Sequence, residues 1–258
     1  MLVNNTHSKR KKMFMNTPKL ILLLSGILFL MNCSNDHGSK NNIEAIYTST
    51  SPVIDGDLND PVWQKASPVV LRENRSGNNV SDTQLTTQVM TCYDDNTLYI
   101  AYRCNDPDIW TSFTQRDEHL WEEEAVEVFI DVDDVVDTYV EIEVSPANIL
   151  FDSYIVDTLN IDVEATARFQ LQGIKTAVKV NGTLNKRDDK DKSWTVEIAL
   201  PFDDLKNENI DEVTSKTAMK LNFYRLDKSQ GMERGAYAWS PTGARFHKPS
   251  TFGRLIFK

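Results

Sequence analysis

The sequence predicts an all-β fold: a single antiparallel β-sandwich, jelly-roll-like, with short helical turns. Three observations predict it. Short segments alternate apolar and polar residues with a period of two, turn-forming residues punctuate them, and long helical periodicity is absent. Many short strands at such spacing fit two packed layers better than any helical or α/β plan.

Taken in order, the first strand is read at residues 84–93 and turns at Asp94-Asp95-Asn96-Thr97 into a second at 98–104. Asn105-Asp106-Pro107 ends that hairpin. At 125–132, Val126, Val128, Ile130 and Val132 alternate with Glu127 and Asp131, as in a strand with one buried face. At 139–145, Val140, Ile142 and Val144 share one face, and Tyr139, Glu141 and Glu143 the other. Ser145-Pro146-Ala147-Asn148 turns the chain into 149–154. Residues 176–180 stop at Asn181-Gly182, and 194–200 follow the polar run 188–191. Pro201 then opens a short helical turn through Leu205. Strands at 220–226 and 254–257 complete the set.

If strands 125–132 and 139–145 pair, Glu127, Glu141 and Glu143 line one polar face. Like charges that close cost free energy, so the face calls for cations, basic partners or a hydroxyl-rich ligand. Separate solvated faces are the alternative. Trp121 stands just ahead of this acidic strand. An indole covers the C–H face of a sugar ring and a neighbouring carboxylate accepts its hydroxyl protons, so Trp121 with Glu127 reads as a sugar contact. A core tryptophan beside solvated glutamates is the competing reading.

The amino-terminal part is an address. Lys9, Arg10, Lys11, Lys12 and Lys19 precede an apolar run from Leu20 to Met31, too short for the roughly 20 apolar residues that span a bilayer. Leu30-Met31-Asn32-Cys33 resembles a bacterial lipobox, with Asn32 where a small residue is usual. The expected organisation is a lipoprotein signal peptide over 1–32, a flexible tether over 33–45 with Cys33 lipidated, and one sandwich over 46–258. The location expected is the bacterial cell envelope, with membrane contact through the lipid alone. Removing those five basic residues from 28 leaves 23 against 38 acidic ones, a net charge of −15. Such a domain is a poor partner for nucleic acid or anionic lipid. Cys92 and Cys104 project from opposite faces of their hairpin if Tyr93 opposes Leu98, which predicts two free, buried thiols.

Several motifs recur in a family's order: Val53-Ile54-Asp55-Gly56-Asp57-Leu58-Asn59-Asp60-Pro61-Val62-Trp63, then Tyr93 to Tyr102, Asp106-Pro107-Asp108, Trp121 to Asp131, Trp194 to Pro201, Trp239-Ser240-Pro241, and Lys248 to Leu255. On these the chain resembles a family 9 carbohydrate-binding module, within the wider DOMON-like β-sandwich group, from about Ser51 to Lys258. The resemblance implies non-catalytic binding of an oligo- or polysaccharide in support of polysaccharide catabolism, alongside glycoside hydrolases. It implies that Trp121 and Phe246 clamp a sugar and that Glu127 binds its hydroxyls. Glu143 stands where sugar binders of the family use an arginine, a reversal of charge. Arg225 shares a face with Leu221 and Phe223, and is read either as a hydroxyl partner or as a buried ion-pair residue.

Other chemistry fits the residues less well. A glycosidase needs two carboxyls about 5–10 Å apart across a cleft, one with a raised pKa. The sequence shows no apolar pocket to hold one protonated, and no Gly-x-Ser-x-Gly motif occurs. Asp55, Asp57 and Asn59 begin like a calcium loop, but Asp60 replaces the glycine and Ala66 the final glutamate. Relatives in this fold carry structural calcium, so calcium is the metal to look for, with no ligands assigned. A haem or small-cofactor redox module is the second functional reading, with His119 or His247 as axial ligand. A module that docks another protein is the third.

Overall fold

A computed structural model describes residues 41–258; the signal peptide expected over 1–32 and the expected lipidation site Cys33 lie outside the described residues. The strands are β1 (Asn42–Tyr47), β2 (Val69–Val70), β3 (Arg72–Glu73), β4 (Thr87–Tyr93), β5 (Thr97–Asn105), β6 (Ala125–Asp131), β7 (Tyr139–Val144), β8 (Leu150–Ile155), β9 (Lys175–Asn181), β10 (Ser193–Pro201), β11 (Met219–Asp227), β12 (Gly235–Ala238) and β13 (Gly253–Phe257). One four-residue helix, α1 (Val163–Thr166), and a few 3-10 turns complete the described secondary structure. None of the described helices is long and apolar enough to cross a membrane.

The fold is all-β, as the alternation predicts. All the strands share one hydrogen-bonded network with the main path β8-β7-β6-β11-β13-β1-β4-β5-β10-β9. The pairs are antiparallel except at β1, which runs parallel to both β13 and β4. The two halves of the path meet face to face. Val126, Val128 and Ile130 of β6, Ile142 of β7 and Phe223 of β11 share a core with Ile100 and Tyr102 of β5 and Val196 and Ile198 of β10. Tyr102 spans that core, and its hydroxyl donates to the Glu127 carbonyl at 2.7 Å.

β1 corrects the expected boundary. Residues 42–45 were expected in the tether, yet they pair with β13, and Ile43 and Ala45 are buried. Their polar neighbours Asn42 and Glu44 hide the alternation in a short strand. The strand expected from residue 84 begins instead at Thr87, because Asp82 caps a 3-10 turn over Thr83–Leu85 by accepting the Gln84 N–H at 2.9 Å.

The Val53–Trp63 motif and β10 fasten to each other. The buried Glu197 accepts the Trp63 indole N–H at 2.7 Å and the Gly56 N–H at 2.8 Å. Gly56 has φ +83°, and a side chain there would meet the backbone of Val178 at 2.7 Å, so only glycine fits. Trp63 and Trp194 are both core residues. Cys92 opposes Tyr99 across the β4–β5 hairpin, and both expected thiols are free and buried. Burial pushes Cys104 up to about 12 and raises Cys92 as well.

Candidate functional site

Strand alternation puts Glu127, Phe129 and Asp131 on the face of β6 turned away from the core just described, with Glu141 and Glu143 beside them on β7. Glu127 pairs directly with Glu143, and Phe129 with Glu141. This outer face lies beneath segments carrying Ile161, Val163 and Thr166 on one side and Ala244, Phe246 and His247 on the other. Between them is a cavity of about 410 Å³, whose lining includes Trp121, Glu127, Glu141, Glu143, Phe151 and Phe246.

Each aromatic wall is backed by another ring. Trp121 sits in a 3-10 turn, Leu120–Glu122, just before β6. His119 stacks on it with centroids 4.5 Å apart, and Phe151 meets it edge-on at 5.2 Å. Phe246 stacks on Tyr224 at 4.2 Å and 12°, and its carbonyl accepts the Tyr224 hydroxyl at 2.9 Å. Half-buried Trp121 and Phe246 therefore present supported ring surfaces to one cavity.

The floor is acidic and buried. Ligand atoms of Glu127, Glu141 and Glu143 all lie within 4.8 Å of one another. The Ser153 hydroxyl donates to Glu141 Oε2 at 3.1 Å, but Glu127 Oε1 and Glu143 Oε2 have no partner. Burial raises Glu141 to about 7. It raises Glu127 and Glu143 too, helped by the neighbouring carboxylates. Only Arg234, exposed at the rim, draws Glu127 back toward ionisation. His247 shares a 2.5 Å hydrogen bond with the Tyr139 hydroxyl, and burial followed by the Arg245 charge lowers it to about 4. It is therefore neutral at physiological pH.

Four of the expected residues, Trp121, Glu127, Glu143 and Phe246, thus line one cavity, and the fifth does not. Arg225 faces the opposite way, into the interior between the halves of the sheet, because it alternates with Tyr224 along β11. It is fully buried and donates to Asp106 at 2.8 Å and Asp227 at 2.7 Å, so the ion-pair reading holds and the hydroxyl-partner reading is corrected. Sequence reasoning missed Glu141 as a lining residue in its own right, although its place on the face was legible, and it missed Arg234, His247 and the wall from 161 to 166. Those wall residues come from loops, where no period marks the facing side.

The sequence offered no pocket able to keep a carboxyl protonated; the structure has one. Even so, all three acids rise from adjacent strands on one floor and cannot flank a glycosidic bond from two sides. The Asp55–Asn59 turn does not suit calcium: Asp57 pairs with Lys179, and Asp55 accepts the Asp57 N–H at 2.8 Å. A second buried acidic group, Asp106, Glu124 and Asp227, already encloses the Arg225 guanidinium. As haem ligands, His119 is stacked on Trp121, and His247 is stacked over Phe129 at 5.4 Å with its Nδ1 engaged.

The family described as "Carbohydrate family 9 binding domain-like" matches residues 54–258. Endo-1,4-beta-xylanase A of Thermotoga maritima is 26% identical over 220 residues, covering 83% of this chain. The match spans only 18% of that xylanase. A family 9 carbohydrate-binding module from Caldicellulosiruptor kristjanssonii, solved with cellotriose, superposes with a TM-score of 0.58 at 20% identity, over 84% of this chain and 94% of that one. A putative carbohydrate-binding protein from Bacteroides uniformis gives 0.63 at 17% identity, over 85% and 100%.

Proposed function

The chain belongs to the Carbohydrate family 9 binding domain-like family, and from that membership we propose how it binds an oligo- or polysaccharide without cleaving it. The observation that carries the reading is the single cavity with Trp121 and Phe246 in its walls and Glu127 and Glu143 on its floor. A sugar ring has apolar C–H faces and polar edges. Two aromatic surfaces take the faces, while the acids accept or, when protonated, donate hydrogen bonds at the edges. Nothing in the step requires bond cleavage.

The location and the neighbours are part of the same proposal. The lipobox-like Leu30–Cys33 supports anchoring through Cys33 in the bacterial cell envelope. The likeness to part of a xylanase supports a role beside glycoside hydrolases. A glycan array comparing the wild type with Trp121→Ala tests the central reading. Binding to a defined glycan that the variant loses supports it, and equal binding by both removes Trp121 from the site. Incorporation of radiolabelled palmitate that Cys33→Ser abolishes tests the anchor.

A further inference from the structure

We infer that the saccharide held in this cavity carries a protonated amine, and that Glu127, Glu141 and Glu143 form the socket for its ammonium group. The inference rests on the carbohydrate-binding reading and names its ligand class.

Two buried clusters of three acids occur among the described residues, and they differ in one respect. Asp106, Glu124 and Asp227 contain their own cation, with Arg225 bonded to both aspartates. Glu127, Glu141 and Glu143 contain none and open onto a cavity instead. Glu127 and Glu143 are 2% and 1% exposed, and each has an oxygen without any hydrogen-bond partner. Unpaired carboxyl oxygens this deeply buried are costly, and the cost falls when a donor arrives.

The Trp121 backbone N–H favours ionised Glu143, but among the described residues no donor meets Glu127 Oε1 or Glu143 Oε2. The Tyr224 hydroxyl is committed to the Phe246 carbonyl, and the Tyr139 hydroxyl to His247. Arg245 is bonded to the Thr158 carbonyl, and Arg234 stands exposed at the rim. Ser153 serves Glu141 alone.

An ammonium group has three N–H donors and no acceptor, which matches three carboxyl side chains, and its charge favours their ionisation as it binds. With charge-assisted contacts of about 2.8 Å in tetrahedral directions, its acceptors lie about 4.6 Å apart. The three acids, all within 4.8 Å of one another, accommodate that arrangement. A hydroxyl brings a single proton and leaves the other oxygens unmet. A calcium ion asks for roughly six to eight oxygens. Here the rest of the wall is largely apolar, with Trp121, Phe151, Ile161, Val163 and Phe246, and its polar side chains, Thr166, Arg234 and His247, add a single oxygen. Rings of this kind also attract an organic cation through their faces.

The test is calorimetric titration of the full-length protein with matched pairs: glucosamine and glucose, galactosamine and galactose, mannosamine and mannose. Calcium chloride alone is a further arm. The expected result is at least one pair in which the amine binds ten-fold or more tightly than the hydroxyl sugar. Glu127→Gln and Glu143→Gln should each narrow that ratio while circular dichroism stays native. Should either variant fail to fold, the wild-type ratio decides by itself. Hydroxyl sugars binding as well as, or better than, their amines in every pair would overturn the socket and leave the carbohydrate reading standing on the glycan array. Saturable calcium binding that displaces the amines would overturn it too. Loss of all binding here and on the array would take down both.

Discussion

Glu127 and Glu143 stand directly opposite each other on β6 and β7, both buried, each with one oxygen that no group among the described residues satisfies. Like-charged residues in register oppose sheet formation, so ionising both costs stability. Protonation meets that cost in the empty protein, and a ligand meets it in the occupied one.

Removing the indole at Trp121 should weaken glycan binding. Trp121→Ala is expected to lose about 1–3 kcal/mol, the range for truncating an aromatic anchor in a binding site. Because Trp121 is half-buried in a turn ahead of β6, the melting temperature should move little. Calorimetric titration with the array-selected glycan, beside a thermal melt, separates the two effects.

Stability should depend on pH through the acidic floor. A glutamate has an ordinary value of about 4.5, and burial raises Glu141 to about 7 in the folded protein. Between those values the folded state keeps a proton that the unfolded chain releases. This contribution is complete below about 4.5 and is lost as pH rises through about 7. Glu127 and Glu143 act in the same direction, whereas His247, lowered to about 4, acts in the opposite one. The difference in melting temperature between wild type and Glu141→Gln should therefore shift in the variant's favour from pH 5 to pH 8. A difference that stays flat would mean that Glu141 titrates normally.

Arg225 should prove structural. Arg225→Met leaves Asp106 and Asp227 buried without their cation, and removing one partner of such a pair typically costs about 3–5 kcal/mol. Urea unfolding should show that loss. Any Arg225→Met protein that remains folded should bind glycan with wild-type affinity, because the side chain faces away from the cavity.

The thiols of Cys92 and Cys104 should stay reduced and hidden. A thiol reagent is expected to modify neither in the native protein and both in denaturant, since each is fully buried with a raised pKa. A mixed or internal disulfide in the purified protein, seen by mass spectrometry, would contradict this.

The alternation in 125–132 and 139–145 fixed which residues share the acidic face, and the strand pairing then placed Glu127 against Glu143. That much was legible because period two survives even where polar residues are buried. Alternation also put Arg225 on the face of Leu221 and Phe223, but a guanidinium on an apolar face can mean an ion pair or a ligand contact. Only the positions of Asp106 and Asp227 decide between them. β1 was hidden because two buried residues, Ile43 and Ala45, are too few to stand out from a polar tether. The cavity wall at 161–166 and the rim at Arg234 were hidden because loop side chains turn inward through tertiary contacts alone.

The seam at β1 has a consequence for how the protein is made. The opening strand lies between β4 and the closing strand β13, so the sheet stays split until residues 253–257 have emerged. Contacts that join the two ends of a chain form slowly. Until then the β4–β5 hairpin must wait in an incomplete state with the core between the layers open. Loss of β13 would then do more than shorten the protein: it would leave β11 and β1 as bare edges, inviting other chains to fill the gap.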